Sequence, residues 1–306
     1  MTRVIEPRTP QVVPLRLLFP YLGAVLAKAR EGLAGASGLD SAFRPGQGAP
    51  PLSLIIAACG RAAAAAQALQ GRLTEERASP SARTRESCLG AWRVLDRLAS
   101  ARGILTTYLR LAGATPPLIL SADGAASTAA DLPAIAGFAL LWPAWPRLRR
   151  RFRAICRLAE DLGPEVLGYR PGPGLASVGD LLLHTLIWER FLVSFATKGR
   201  EAEPGPIPPE RYRLAVEAHW ETLARDFPGP SSIASLGRWV ARRTGRDLAT
   251  VTVDELTRRN WSPVGGLSGQ YSLWYVLEHG FHHLAQARFL LDLASGGQVA
   301  ARRGAI

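Results

Sequence analysis

The stretch that decides the fold reads LWYVLEHGFHHLAQARFLLDL, over residues 273–293. It contains no proline, and its apolar residues recur on nearly every side of a 3.6-residue period. This pattern predicts one long helix over about 269–294 that is largely buried. Gly296 and Gly297 then supply a plausible helix stop.

This helix carries a pair of histidines, His279 and His283, four residues apart. At about 100° per residue the pair lies about 40° apart around the helix and about 6 Å apart along it. Two imidazoles at this spacing can reach one metal ion. A buried polar group without a partner costs roughly 1 to 3 kcal/mol, and a shared metal ion would satisfy both rings.

A third histidine interrupts an apolar stripe in an earlier helix. The stripe consists of Leu181, His184, Trp188, Phe191 and Phe195 and is the buried face of an amphipathic helix. Alone, His184 would be read as a hydrogen-bonded core histidine. Beside the pair at His279 and His283, the metal interpretation becomes the better one. Three neutral imidazoles leave an open coordination position and suit zinc or a similar divalent ion.

The two remaining histidines are weaker candidates. His282 lies about 60° from His279 and about 100° from His283 around the helix, so it either replaces one of them or points to the surface of the bundle. His219, next to Trp220, fits a surface or structural role.

The rest of the chain is a series of helical segments separated by stretches rich in proline and glycine. Strand-like alternation is nearly absent, so the predicted class is all-α. Gly103 marks a place where the third helix could be broken. The earlier helices are predicted at about 14–34, 52–75, 83–112, 127–142, 146–162, 177–197, 209–226, 231–244 and 253–259.

The two halves of the sequence share features at an offset of 126 residues. FRPGQG at 43–48 matches YRPGPG at 169–174, and Trp92 aligns with Trp220. These matches favour a duplication that gives two tandem helical bundles, 1–142 and 143–306; chance similarity between Ala/Leu/Arg-rich helices is the alternative. The N-terminal counterparts of His184, His279 and His283 are Ala58, Ala136 and Leu140, so the first bundle would lack the metal ligands.

Composition and charge argue against nucleic-acid and membrane proteins. The net charge is +12, and the basic residues are almost all arginine, with lysine only at positions 28 and 198. The arginines are scattered apart from Arg147 to Arg153, which argues against a nucleic-acid protein, although a basic surface would also suit an anionic small substrate. Three well-separated cysteines, no signal-peptide layout and no apolar run of membrane-span length predict a cytoplasmic protein without a membrane partner.

At this point the sequence resembles the DinB/YfiT-like superfamily, which includes thiol-dependent S-transferases and maleylpyruvate isomerase. The resemblance covers about residues 145–297. It rests on the YRPGPG loop, on Ser177 opening DLLLHTLIWERF, and on the final helix. The positions that match the family's pattern are His184, His279, His283 and Gln286. The resemblance implies a four-helix bundle with a metal at one end of its core. Many members dimerise, so a duplicated chain could fold as an intrachain pseudo-dimer, or form a homodimer.

The predicted function is therefore that of a metal-dependent enzyme acting on a small molecule, with the ion activating water or a thiolate. The resemblance favours thiol transfer, or a related hydrolase or isomerase reaction, with a low-molecular-weight thiol as cosubstrate. Zinc is the first choice of metal; nickel, manganese and iron are alternatives.

Further candidate site residues each have a plainer alternative. Glu189 and Glu278 are candidate acid/base groups or, alternatively, helix-surface carboxylates. The candidate pocket and cosubstrate contacts are Trp188, Tyr275, Gln286 and Arg288. The two aromatic residues are equally explained by core packing, and Arg288, like Arg238, by a solvated surface.

Two rival functions stay open at this stage. One is a metal-stabilised interaction protein without catalysis, in which the first half is a docking module. The other is a basic DNA-associated helical protein, for which no groove-reading motif is visible.

Overall fold

The computed structural model describes most of the predicted helices. The described residues are 19–46, 48–76, 85–116, 144–198, 206–207, 210, 214–215, 229–251, 255, 259–260 and 267–297. Predicted helix 127–142 lies outside them, as do nearly all of 209–226 and 253–259. His219, Trp220, Ala136 and Leu140 lie outside them as well.

The described residues form seven long helices, which confirms the all-α class. A 3-10 turn at Pro164–Gly168 and an antiparallel pair of two-residue strands, β1 (Arg259–Asn260) and β2 (Leu267–Ser268), were not predicted. The helices are α1 (Phe19–Ala36), α2 (Leu52–Glu76), α3 (Arg85–Leu111), α4 (Trp145–Leu162), α5 (Val178–Lys198), α6 (Pro230–Thr250) and α7 (Gly269–Ala294).

Helix α5 begins at a reciprocal cap. The Ser177 hydroxyl accepts a hydrogen bond from the Asp180 amide at 3.1 Å, and the Asp180 carboxylate accepts one from the Ser177 amide at 2.8 Å. Arg170 adds an ion pair to the same carboxylate at 2.8 Å. Two otherwise unpaired helix-end amides are satisfied in this way, and the start of the helix that carries His184 is fixed.

Helix α7 is the centre of the fold and packs against α5, α3 and α4. Its close approach to α3 depends on Gly103, where an added Cβ would lie 2.3 Å from the His282 carbonyl oxygen. Its approach to α4 depends on Gly280, where a Cβ would lie 2.8 Å from the Leu148 side chain. The expectation of a break at Gly103 was wrong, because α3 runs through this residue without interruption. Here glycine permits a close helix crossing.

Helix α6 completes the described part of the C-terminal half by packing against α5 and α4. Arg190 of α5, which is only 2% exposed, donates a hydrogen bond to the Asp247 carboxylate at 2.8 Å. Gly237 faces the Phe152 ring so closely that an added Cβ would lie 2.4 Å from it. The Arg190–Asp247 bond fixes α6 against α5, the helix that carries His184, and the Gly237 contact fixes it against α4.

The two halves share local structure at the 126-residue offset seen in the sequence. Helices α1 and α4 both have 18 residues, and both of their ends are related by this offset; α2 and α5 begin at the same offset. Both glycine-containing hexamers also end in a left-handed glycine, Gly48 with φ 77° and Gly174 with φ 69°.

The hydrogen bonds of the two hexamers correspond as well. Arg44 donates to the Ala49 carbonyl at 2.7 Å, and Arg170 donates to the Leu175 carbonyl at 2.7 Å. The first residue of α2 bonds the Phe43 carbonyl, just as the first residue of α5 bonds that of Tyr169. The same loop therefore connects the first two helices of each half.

One described helix, α2, reaches the length and apolar character of a membrane span over Leu52–Gly71. This is weak evidence, because α2 also packs against α1 and α3 and has Arg61 in its middle. Cys59 of α2 and Cys156 of α4 are both free thiols. A cytoplasmic location stays a prediction.

Candidate metal centre

Helices α5 and α7 bring three imidazole rings together in the core. One nitrogen from each of His184, His279 and His283 lies within 4.8 Å of the other two. The Nε2 atoms of His184 and His279 are 3.0 Å apart. All three side chains are buried, with exposed fractions of 5%, 3% and 3%. The sequence singled out the same three residues.

The donor set fits a divalent ion. At Zn–N distances of about 2.0–2.1 Å, two ligands at a tetrahedral angle lie about 3.3 Å apart, a separation that falls within the spread of this cluster. The Nε2 atom of His283 is buried and has no hydrogen-bond partner among the described residues. A buried nitrogen without a partner lowers the stability of the fold unless an ion or a hydrogen-bond donor binds it. Three neutral imidazoles are also a characteristic ligand set for such ions.

Gln286 orients His283 from the next turn of α7. The His283 Nδ1 atom lies 2.7 Å from the Gln286 Oε1 atom, which can only accept, so Nδ1 carries the proton and Nε2 is left as the ligating atom. The Gln286 amide in turn donates to the Thr107 hydroxyl on α3 at 3.3 Å. Partners of this kind fix the tautomer and the direction of a metal-binding histidine.

Burial determines the protonation state of the cluster. Loss of hydration lowers the pKa of His184 and of His279 well below 6.5, and the neighbouring His283 lowers both further. A bond to the Ala215 backbone partly offsets this effect at His184. Burial also lowers the pKa of His283 to about 3, and the hydrogen bond that His283 donates to Gln286 opposes this effect. All three rings are therefore neutral at pH 7, the form that binds metals.

Two predicted pocket residues lie directly beside the cluster. The Trp188 and Tyr275 rings each have their centroid 5.2 Å from that of His279. The Trp188 indole donates to the Ala215 carbonyl at 3.4 Å, and burial raises the pKa of the Tyr275 hydroxyl far above its usual value. Tyr275 is therefore a neutral group here, and both residues wall the histidines on this side.

The two predicted acid/base residues form buried ion pairs. Glu189 lies 2.6 Å from Arg149 of α4 and also accepts a hydrogen bond from the Trp145 indole at 3.2 Å. Glu278 pairs with Arg102 of α3. Neither carboxylate belongs to the three-histidine group. Both are buried rather than surface groups, and their acid/base role stays a prediction.

The structure separates Arg288 from the other predicted cosubstrate contacts. Arg288 is about 180° around α7 from His279 and about 140° from His283. It pairs with Asp292 at 4.0 Å and lines a groove formed with α3 and α4. Arg238 is exposed on α6 and donates to the Ser235 hydroxyl at 2.6 Å. Neither arginine is therefore placed with Trp188 and Tyr275.

His282 lies beside His283 and close to α3, but it does not belong to the three-histidine group. It is 1% exposed, its backbone carbonyl contacts α3, and neither ring nitrogen has a partner among the described residues. Its ring centroid lies 5.0 Å from that of His283. Burial lowers the pKa of His282 well below 6.5, with Arg102 as the next cause.

Sequence reasoning missed the contribution of α3 to this region. Arg102, Gly103 and Thr107 contact Glu278, His282 and Gln286 respectively. Thr107 and Gln286 are 179 positions apart in the sequence, so no local pattern predicts their contact. The one local signal is Gly103 within an otherwise regular helix, and a glycine there predicts a break as readily as a close helix crossing.

Comparison with known families agrees with this geometry. Residues 145–287 match the family model described as the DinB superfamily. The C-terminal half is thus a DinB-like helical domain. The matched range includes all three histidines of the cluster and Gln286. No curated protein and no solved structure gave a significant match. The match to the DinB superfamily and the three-histidine cluster are together compatible with a metal-dependent enzyme.

Proposed function

We propose that the DinB-like half is a metal-dependent enzyme that acts on a small molecule, with His184, His279 and His283 as the metal ligands. The observation that carries this proposal is the convergence of three buried, neutral imidazoles, one of which has an Nε2 atom without a partner among the described residues. A divalent ion held there would supply Lewis-acid chemistry, lowering the pKa of a bound water or thiol. Zinc is the first candidate; nickel, manganese and iron are the alternatives.

The residues around the cluster have distinct parts in this proposal. Gln286 holds the proton on His283 Nδ1, so that its other nitrogen faces the ion. Trp188 and Tyr275 exclude water and provide an apolar wall for a substrate. Thiol transfer is the proposed reaction class, with a low-molecular-weight thiol as cosubstrate, because the DinB-like resemblance favours it. A related hydrolase or isomerase reaction is the alternative.

The ligand set is tested by metal analysis of protein purified without an affinity tag. We expect one equivalent of metal in the wild type and almost none in His184→Ala or His283→Ala. His282→Asn is the matched control, since it changes a buried histidine of the same helix outside the cluster, and it should keep the metal. Unchanged stoichiometry in both alanine variants would reject the ligand set.

The deep burial of the cluster favours one second candidate, a structural metal site in a non-catalytic interaction protein. Closed sites hold their metal with four protein ligands, whereas catalytic sites keep an exchangeable position. Cobalt(II)-loaded protein distinguishes the two. If glutathione or cysteine produces a thiolate-to-cobalt absorption band, the ion has an open position. An unchanged spectrum with every small thiol tested would favour the structural role.

We also infer that residues 1–142 are a degenerate DinB-like repeat that pairs with residues 143–306 as an intrachain pseudo-dimer. The shared hexamer bonds and the equal lengths of α1 and α4 support this inference. At the ligand position of His184, the first half has Ala58. Light scattering should give the mass of a single chain, 32.9 kDa. Twice that mass would indicate a homodimer instead.

A further inference from the structure

A concave site lies on the side of α7 that faces away from His279 and His283. It is a cavity of about 790 Å³ bounded by α3, α4 and α7, and this volume falls within the range of small-molecule sites. Its only described acidic lining residue is Asp292. Its basic lining residues are Arg147, Arg150, Arg151, Arg153, Arg157 and Arg288.

The arginines face the groove because α4 is strongly two-sided. Its buried face consists of Leu148, Phe152, Ile155 and Ala159, which pack into the core. Helix α4 therefore cannot rotate its arginine face away from the groove without exposing these core residues to water. The arginine face is fixed on a rigid element, as a preformed binding site requires.

The positive charge of the groove is only partly neutralised. Arg147 and Arg151 share the buried carboxylate of Asp96, at 2.6 and 2.7 Å. Three exposed arginines of α4, namely Arg150, Arg153 and Arg157, have no carboxylate partner among the described residues. They are spread over about 10 Å of one helix face. Like charges held this close repel each other unless an anion lies between them.

The floor of the groove is apolar. Ile104 of α3 and Leu284 and Phe289 of α7 line it. Guanidinium groups are suited to binding phosphate oxygens in pairs, whereas the floor suits an apolar or aromatic group. The concave shape and limited volume favour a small molecule over a nucleic-acid duplex, which needs a longer surface.

We propose that this groove binds a small molecule with two or more phosphate groups beside an apolar portion, the chemistry of a nucleoside diphosphate. The phosphates would contact Arg150, Arg153 and Arg157, and the apolar portion would lie against Phe289. The site is separate from the three-histidine cluster and does not depend on the function proposed for it.

The test is calorimetric titration of the full chain with ADP. Wild-type protein is compared with the triple variant Arg150→Gln/Arg153→Gln/Arg157→Gln. The matched control, Arg238→Gln/Arg242→Gln/Arg246→Gln, removes the same charge from an exposed face of α6. We expect the groove variant to bind ADP at least about tenfold more weakly, because it loses charge-assisted contacts, and the control to change it by less than about twofold.

Further ligands make the outcome decisive. Pyrophosphate should bind more weakly than ADP, and adenosine should show no measurable binding. The proposal is overturned if ADP does not bind, if adenosine binds as well as ADP, or if both triple variants weaken ADP equally. It is also overturned if a short DNA duplex displaces ADP and binds more tightly, since the groove would then be a nucleic-acid surface. Unchanged metal content in the groove variant would show that the two sites are separate.

Discussion

Replacing Gln286 with methionine tests the orientation of the metal ligand His283. Methionine has a similar length but cannot accept the hydrogen bond from Nδ1, which spans 2.7 Å in the structure. The Nδ1–H group would then be buried without a partner, at a cost of roughly 1 to 3 kcal/mol. The His283 ring would also lose the partner that selects its tautomer. We expect metal affinity to fall roughly 10- to 100-fold, the usual effect of removing such a partner.

The assay is a competition titration in which a chelating dye and the metal-free protein share a limited supply of zinc. Thr107→Val provides a graded comparison, because it removes only the 3.3 Å bond between the Gln286 amide and α3. Thr107→Val should also lower the zinc affinity, but by less than Gln286→Met does. Thermal unfolding of both metal-free variants controls for general loss of structure. Wild-type zinc affinity in Gln286→Met, with normal folding, would refute the assigned role of Gln286.

Three further predictions concern stability. Gly103→Ala should destabilise the protein by about 1 to 3 kcal/mol in urea unfolding, because its Cβ would lie 2.3 Å from the His282 carbonyl oxygen. Asp180→Ala should cost about 1 kcal/mol by the same measurement, because it removes the carboxylate half of the reciprocal cap of α5 and the ion pair with Arg170. Metal-free protein should lose stability as the pH falls below about 6.5, because the histidines of the unfolded chain then take up protons while the buried rings of the folded chain stay neutral. With its folded-state pKa lowered to about 3, His283 alone lowers the free energy of unfolding by about 2 kcal/mol at pH 5.

Matched controls make these predictions decisive. Gly60→Ala meets nothing within 4 Å in the middle of α2, so it should be neutral or stabilising by about 0.5 to 1 kcal/mol. Equal behaviour of the two glycine variants would contradict the close-approach argument for Gly103. For the pH prediction, the metal-free His283→Gln variant should lose less stability between pH 7 and pH 5 than the wild type. If the variant and the wild type lose the same free energy of unfolding between these pH values, His283 is not buried in the neutral form.

The long amphipathic helices could be predicted from sequence because their periodicity is local. The predicted bounds of α2, α4, α5 and α7 differ from the observed ones by one residue or less at each end. Both clear errors involved glycine. Helix α3 continues through Gly103, and α6 continues through Gly245 to Thr250, beyond the predicted end at 244. At Gly103 glycine makes room for α7, which local sequence does not reveal; at Gly245 an added Cβ would make only an ordinary contact with Trp145, at 3.7 Å, so the helix simply tolerates the glycine.

The residues of the candidate site, like the helices, could be predicted where the signal is local and could not where it depends on packing. His279 and His283 share a helix face, so spacing alone predicted their proximity, and His184 was found because it interrupts an apolar stripe. Arg288 was assigned to this region on charge alone, but its angular position on α7 puts it in the groove. The bond between Thr107 and Gln286 depends on how the two halves pack together, and nothing in either segment encodes the identity of its partner.

The packing of α3 on α7 also determines the route to the metal centre. Where Gly103 meets the His282 backbone the two helices touch directly, and the pair formed by Arg102 and Glu278 fills the space beside that crossing. In the proposed function, a substrate would therefore not reach the histidines through the crossing of α3 and α7. Among the described residues, α3 of the N-terminal half thus sets the limit of the site on this side.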